Sequence, residues 1–131
     1  EALAGRKTNV KQISEATNAP ESFVAKILQP LSKKGILLSN KWKQGGFSID
    51  LDKLEEIKLI EIVLITDGPD ILTRCAFGLE KCSSEKPCPF HFKYKPIREG
   101  LKASLSEISI YDMALKTDQG EAFLKNPIQT E

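Results

Sequence analysis

The stretch NVKQISEATNAPESFVAKILQPLSKKG, residues 9–35, decides the fold. Asn9 is placed to cap a short helix from Val10 to Thr17, with Val10, Ile13 and Ala16 on one face. Asn18 and Ala19 make a tight turn. Pro20 stands where a second helix begins, and Glu21 suits the positive end of its dipole. Phe23, Val24, Ile27, Leu28 and Leu31 recur at helical spacing and predict the buried stripe of that helix. It should run to about Lys34, where Gly35 ends it. Pro30 lies inside the stripe and removes the hydrogen bond to Lys26, so a bend is expected there rather than an end. Two short helices joined by such a turn form a helix-turn-helix.

Working outward, a hairpin follows. Ile36 to Ser39 reads as one strand and Phe47 to Ile49 as its return. The loop between them is Asn-Lys-Trp-Lys-Gln-Gly-Gly, basic, with Gly45 and Gly46 permitting positive φ at its exit. The fold class is therefore mainly α with a small β-wing, a winged helix-turn-helix. Upstream, residues 2–5 read as the end of a helix stopped by Gly5. Downstream, Leu54 to Thr66 reads as a helix with Leu59, Ile62, Val63 and Thr66 on one face, stopped by Asp67-Gly68-Pro69. Residues 67–95 read as a long loop with little periodicity, and loops of that length carry function or are disordered. Pro96 is expected to open another helix, striped by Ile97, Leu101, Leu105 and Ile108. A short helical piece then covers Ser109 to about Lys116, and 117–131 form a tail.

Four segments follow: a DNA-binding winged helix over 1–66 with its first helix truncated, a cysteine-rich loop over 67–95, a dimerisation helix region over 96–116, and the tail. The apolar stripe of the third segment leaves a face that so small a domain does not cover alone, which predicts a symmetric homodimer.

The formal net charge of +1 hides an asymmetry. Up to Asp50, eight Lys/Arg stand against four acids, and the remainder of the chain is net acidic. A basic first half suits contact with phosphates. In a helix-turn-helix the second helix presents its N-terminal residues to base edges, which selects Ser22, Phe23 and Lys26 as DNA-binding candidates, Phe23 doubling as a core residue. Lys41 and Lys43 on the wing would meet backbone phosphates or the adjacent minor groove. No apolar run approaches the roughly 20 residues needed to span a bilayer. A lone histidine and the absence of a nucleotide-binding glycine loop leave no catalytic set, so the reading is not an enzyme.

All three cysteines and the histidine fall between positions 75 and 91, as Cys75-x6-Cys82-x5-Cys88-x2-His91. An odd cysteine count fits poorly with a full set of disulfides, and clustering with histidine fits metal ligation in a reducing, cytoplasmic setting. Three thiolates and an imidazole suit zinc or an iron–sulfur cluster. The spacing is also close to that of a three-cysteine, one-histidine zinc finger, which leaves a zinc-binding, nucleic-acid-binding protein as the alternative.

The order Phe23-Val24-Ala25-Lys26-Ile27-Leu28, Leu31-Ser32-Lys33-Lys34-Gly35-Ile36-Leu37 and Gly45-Gly46-Phe47-Ser48-Ile49, followed by Asp67-Gly68 and the cysteine triplet, resembles the Rrf family of bacterial winged-helix transcriptional regulators, IscR- and NsrR-like. The resemblance covers about residues 8–115. It implies a homodimer on a palindromic DNA operator, and a 2Fe–2S or 4Fe–4S cluster on Cys75, Cys82 and Cys88 with His91 as fourth ligand, through which iron–sulfur, redox or nitric oxide status alters DNA affinity. A member that has lost its cluster would act through thiol oxidation or a partner protein. The first gap here is six residues, where the IscR-like pattern has five.

The wing generates a direct prediction. Replacing Lys41 and Lys43 together with Ala weakens binding to duplex DNA of every sequence, and flattens the salt slope by roughly one unit per lost phosphate contact. Fluorescence anisotropy across a salt series measures it, and an unchanged slope removes the wing from the interface.

Overall fold

The computed structural model describes residues 2–41 and 45–125. The chain folds as two compact units, Glu1–Ile57 with Ser109–Glu131, and Lys58–Ile108.

In the first unit, helix α1 spans Val10–Thr17. It is capped reciprocally: Asn9 Oδ1 accepts from the Gln12 amide at 2.8 Å, and Gln12 Oε1 accepts from the Asn9 amide at 3.0 Å. Asn18, at φ 55°, takes the left-handed conformation that turns the chain. Helix α2, Glu21–Lys33, continues through Pro30. It ends in a Schellman arrangement: Gly35 sits at φ 77°, Ile36 N–H donates to the Leu31 carbonyl at 3.0 Å and Gly35 N–H to that of Ser32 at 3.1 Å. Val24, Leu28 and Leu31 are its buried residues. Phe23, expected in that stripe, is 56 % exposed. At about 100° per residue Phe23 lies a full step round the helix from Val24, so the covered stripe is narrower than the apolar one.

Strands β1, Leu38–Asn40, and β2, Gly46–Ser48, pair antiparallel with Ser39 opposite Phe47. Thr8 and Phe47 exchange backbone hydrogen bonds of 2.9 and 2.8 Å, which adds a third run of chain to the hairpin. This approach explains Gly46: a Cβ there would stand 3.1 Å from the Thr8 carbonyl oxygen. The residue serves a close approach of backbone, not the positive φ expected of it. Trp42, Lys43 and Gln44 lie outside the described residues.

The helix expected from Leu54 starts instead at Leu59. Leu54 and Ile57, 2 % and 6 % exposed, enter the core of the first unit, and a 3₁₀ turn at Leu51–Lys53 delivers them. Helix α6, Ile110–Asp118, completes that unit. Its cap is Ser109, whose Oγ accepts from the Asp112 amide at 3.0 Å and donates to Asp112 Oδ2 at 2.7 Å. Ile110 N–H donates to the Ile57 carbonyl and Tyr111 N–H to that of Leu54, at 3.0 and 3.2 Å.

The second unit holds α3, Leu59–Thr66, the short α4, Asp70–Thr73, and α5, His91–Glu107, with α3 and α4 packed on α5. Two expectations are corrected here. Residues 67–95 are not a structureless loop, because α4 lies within them. The long helix does not wait for Pro96 but begins at His91, where the Cys88 carbonyl accepts the His91 amide and the Phe90 carbonyl accepts the Lys93 and Tyr94 amides. Pro96 falls where a missing N–H leaves only the Phe92 carbonyl unpaired by the helix. The unit also leaves apolar surface uncovered: no residue of α3 is buried, and on α5 Ile97 is 63 % and Leu101 41 % exposed.

The first unit's core yields a stability prediction. Leu54→Ala should lower unfolding free energy by about 2–5 kcal/mol, because the site is enclosed. Ser109→Ala should lower it by about 1 kcal/mol through loss of the cap. Urea unfolding followed by circular dichroism measures both, and a Leu54→Ala cost as small as the cap's would place that residue outside the core.

Candidate functional site

Two surfaces carry the chemistry. In the first unit, Ser22, Phe23 and Lys26 are exposed within about a third of the circumference of α2, near its N-terminus. Lys41, just after β1, is exposed as well, and Lys43 is outside the described residues. The exposure of Phe23 turns a residue expected to be divided between core and surface into a surface one.

The second unit gathers the cysteines. None is in a disulfide; Cys75 and Cys88 are buried and Cys82 is half-buried. His91 is 3 % exposed at the first position of α5. Its Nδ1 lies 3.3 Å from Cys82 Sγ, and its Nε2 lies 3.1 Å from Ser84 Oγ. Cys75 and Cys88 are within hydrogen-bonding reach of each other. Among the described residues no three His, Cys, Asp or Glu side chains converge on one point. The four candidates stand as two pairs, Cys82 with His91 and Cys75 with Cys88.

Burial pushes the Cys75 thiol up, but the amides of Leu79 and Phe77, the Cys88 thiol and the Gly78 amide outweigh it and hold it below the ordinary thiol range. Gly78 makes that nest possible: it sits at φ 78°, and its N–H closes a turn onto the Cys75 carbonyl at 3.0 Å. Converging amides of this kind favour an anionic sulfur. A polar cleft of about 360 Å³, lined by Thr73, Arg74, Cys75, Leu79, Glu80 and Cys82 among others, opens on one cysteine of each pair.

Sequence reasoning missed Arg98. It is buried, and its Nη1 donates to Cys82 Sγ at 3.2 Å and to the carbonyls of Arg74 and Thr73 at 3.0 and 3.3 Å. The hydrogen bond to Cys82 strengthens its hold on its proton, against the opposing effect of burial. Tyr94 lies under the guanidinium, 5.9 Å from ring centre to Cζ. His91, Tyr94 and Arg98 share one face of α5. A helix start at Pro96 places His91 and Tyr94 in a loop, so the sequence pattern does not reveal that face. Ser84, which receives Lys95 Nζ at 3.4 Å and faces His91 Nε2, had no signal of its own.

No described helix is long and apolar enough to cross a membrane. The sequence model of the Rrf2 family, described as an iron-dependent transcriptional regulator, matches residues 2–116. A protein of Aquifex aeolicus that bears the name "Putative HTH-type transcriptional regulator" is 26 % identical over 110 residues, 82 % of this chain and 76 % of that protein. The HTH-type transcriptional regulator IscR of Photorhabdus laumondii is 27 % identical over 101 residues, 77 % of this chain and 60 % of its own length. The solved structure of CymR, the global cysteine regulator of Bacillus subtilis, superposes with a TM-score of 0.67 at 23 % identity, covering 86 % of this chain and 81 % of CymR. That likeness matches the six helices and small two-stranded wing described above. With the family spanning both the winged helix and the cysteine unit, the chain belongs to the Rrf2 family and is a transcriptional regulator rather than an enzyme.

Proposed function

We propose that this chain is a homodimeric, DNA-binding regulator that reads iron–sulfur or redox status through a 2Fe–2S cluster held by Cys75, Cys82, Cys88 and His91. The observation that carries the reading is the division of the four side chains into two pairs. Each iron of a 2Fe–2S cluster takes two protein ligands, whereas a 4Fe–4S cluster takes one per iron and a structural zinc requires all four on one point. Two ligands on one tetrahedral metal, a sulfur and a nitrogen at ordinary bond lengths, lie about 3.5 Å apart. Cys82 Sγ and His91 Nδ1 lie 3.3 Å apart without any metal between them. The amide nest at Cys75 and the cleft opening on Cys75 and Cys82 support the same reading. When bound, the cluster supplies an electron-accepting centre whose loss or oxidation changes the charge of the unit. Ser84, on Nε2, orients the ring so that Nδ1 faces Cys82.

A second reading is favoured by one observation. Cys82 is half-buried and borders the cleft, so it is reachable by a small oxidant, and thiol oxidation at Cys82 would change the same contacts without a cluster. In either case DNA contact falls to Ser22, Phe23 and Lys26 on α2 and to Lys41 and Lys43 on the wing. The uncovered residues Ile97 and Leu101 of α5, with the exposed Leu64 of α3, support a two-fold dimer.

Two measurements test this. Anaerobic reconstitution with ferrous iron and sulfide should give wild type two irons and two sulfides per chain and a visible spectrum, with Cys82→Ala retaining neither. DNA affinity should differ between the iron-loaded and iron-free forms. A wild type that takes up no iron, yet loses DNA binding on peroxide treatment in a Cys82-dependent way, moves the function to the thiol reading. Sedimentation at micromolar concentration should show a dimer, and Leu101→Glu should shift it toward monomer; a wild-type monomer removes the dimer from the proposal.

A further inference from the structure

Arg98 is a guanidinium at 7 % exposure for which no carboxylate stands within ion-pair distance among the described residues. Its acceptors are two backbone carbonyls and the sulfur of Cys82, all reached by Nη1. Its Nε is buried and has no hydrogen-bond partner. A buried cation is costly unless an anion compensates it, and neutral carbonyls and a thiol compensate it poorly. A metal-bound thiolate, by contrast, is a strong acceptor and brings the missing negative charge. A 2Fe–2S cluster on three thiolates and a neutral imidazole carries one net negative charge when oxidised and gains a second on one-electron reduction. We propose that Arg98 is the built-in countercation of that cluster, holding the Cys82 thiolate and offering a charged donor to the anion beside it; this rests on the cluster reading above.

The same side chain sets the spacing of the ligand pairs. One nitrogen reaches the carbonyl of Arg74, the residue preceding Cys75, and the sulfur of Cys82. Arg98 therefore ties the strand of chain that carries one pair to a ligand of the other, from a rigid helix. It is a positioning residue, because it touches a ligand and not the irons. Its charge favours the more negative, reduced state and so raises the midpoint potential.

Wild type, Arg98→Gln and Arg98→Lys are reconstituted anaerobically with ferrous iron and sulfide. Midpoint potential is read from the visible spectrum during titration with dithionite, and iron transfer to a chelator is timed in parallel. Arg98→Gln, which keeps a donor and loses the charge, should show a lower potential and about 10- to 100-fold faster iron loss. Arg98→Lys, which keeps the charge, should stay close to the wild-type potential. If Arg98→Gln does not fold, Arg98→Met, uncharged and of similar length, takes its place: a lowered potential beside a lysine variant near wild type supports the countercation, and a wild-type potential overturns it. A glutamine variant with wild-type potential and iron retention overturns the role of Arg98 and leaves the cluster reading standing. A wild type that takes up no iron overturns the cluster reading, and the countercation falls with it.

Discussion

A buried guanidinium with no carboxylate in ion-pair contact among the described residues organises the cysteine unit. Once Arg98 is buried, every polar group in reach is recruited to it: the carbonyls closing α4, the sulfur of Cys82 and the face of Tyr94. Those contacts fix where α4 ends relative to α5, and hence where Cys75 begins its turn. Cys75 in turn gathers the amides of residues 77–79, and Cys88 hands its carbonyl to the amide of His91 to start α5. The unit has little apolar core of its own: Leu72 and two of the cysteines are its buried apolar residues. Polar organisation therefore does what a hydrophobic centre does elsewhere, and each contact depends on its neighbours remaining in place.

The winged helix was legible because its signals are local. Asn9 capping α1, Asn18 turning the chain and Gly35 closing α2 each act within a few residues, and each is found where the sequence places it. Strand and helix limits were less legible. Leu54 and Ile57 carry a helix-like pattern, yet they are taken by the first unit's core through pairing with Tyr111 and Ile110, an influence from far along the chain. The grouping of Cys75, Cys82, Cys88 and His91 in one unit was legible from their spacing. Its division into two pairs was not, since pairing depends on α5 starting at His91. Proline is a strong start signal, and the true start, after Pro89, has a weaker one in the turn at Cys88.

Similarity to both IscR and CymR separates two layers of inference. The fold is shared by the winged helix and the elements that follow it, and it says nothing about what the cysteine unit detects. The side chains that distinguish this unit chemically are three sulfurs, one imidazole, one serine hydroxyl and one guanidinium. Several of them, Cys75, Cys88, His91 and Arg98, are buried in the unit, so the same side chains carry both its chemistry and part of its packing.

The chain order has a consequence for synthesis. The first unit draws on both ends of the sequence, and its closing contacts, Leu54 with Tyr111 and Ile57 with Ile110, bracket the whole of 58–108. During translation the cysteine segment leaves the ribosome before α6 does. For that interval the first unit lacks α6 while the segment carrying Cys75, Cys82, Cys88 and His91 has already emerged. The closing contacts of the first unit therefore form after the 58–108 segment has emerged, with the long-range pairing formed last.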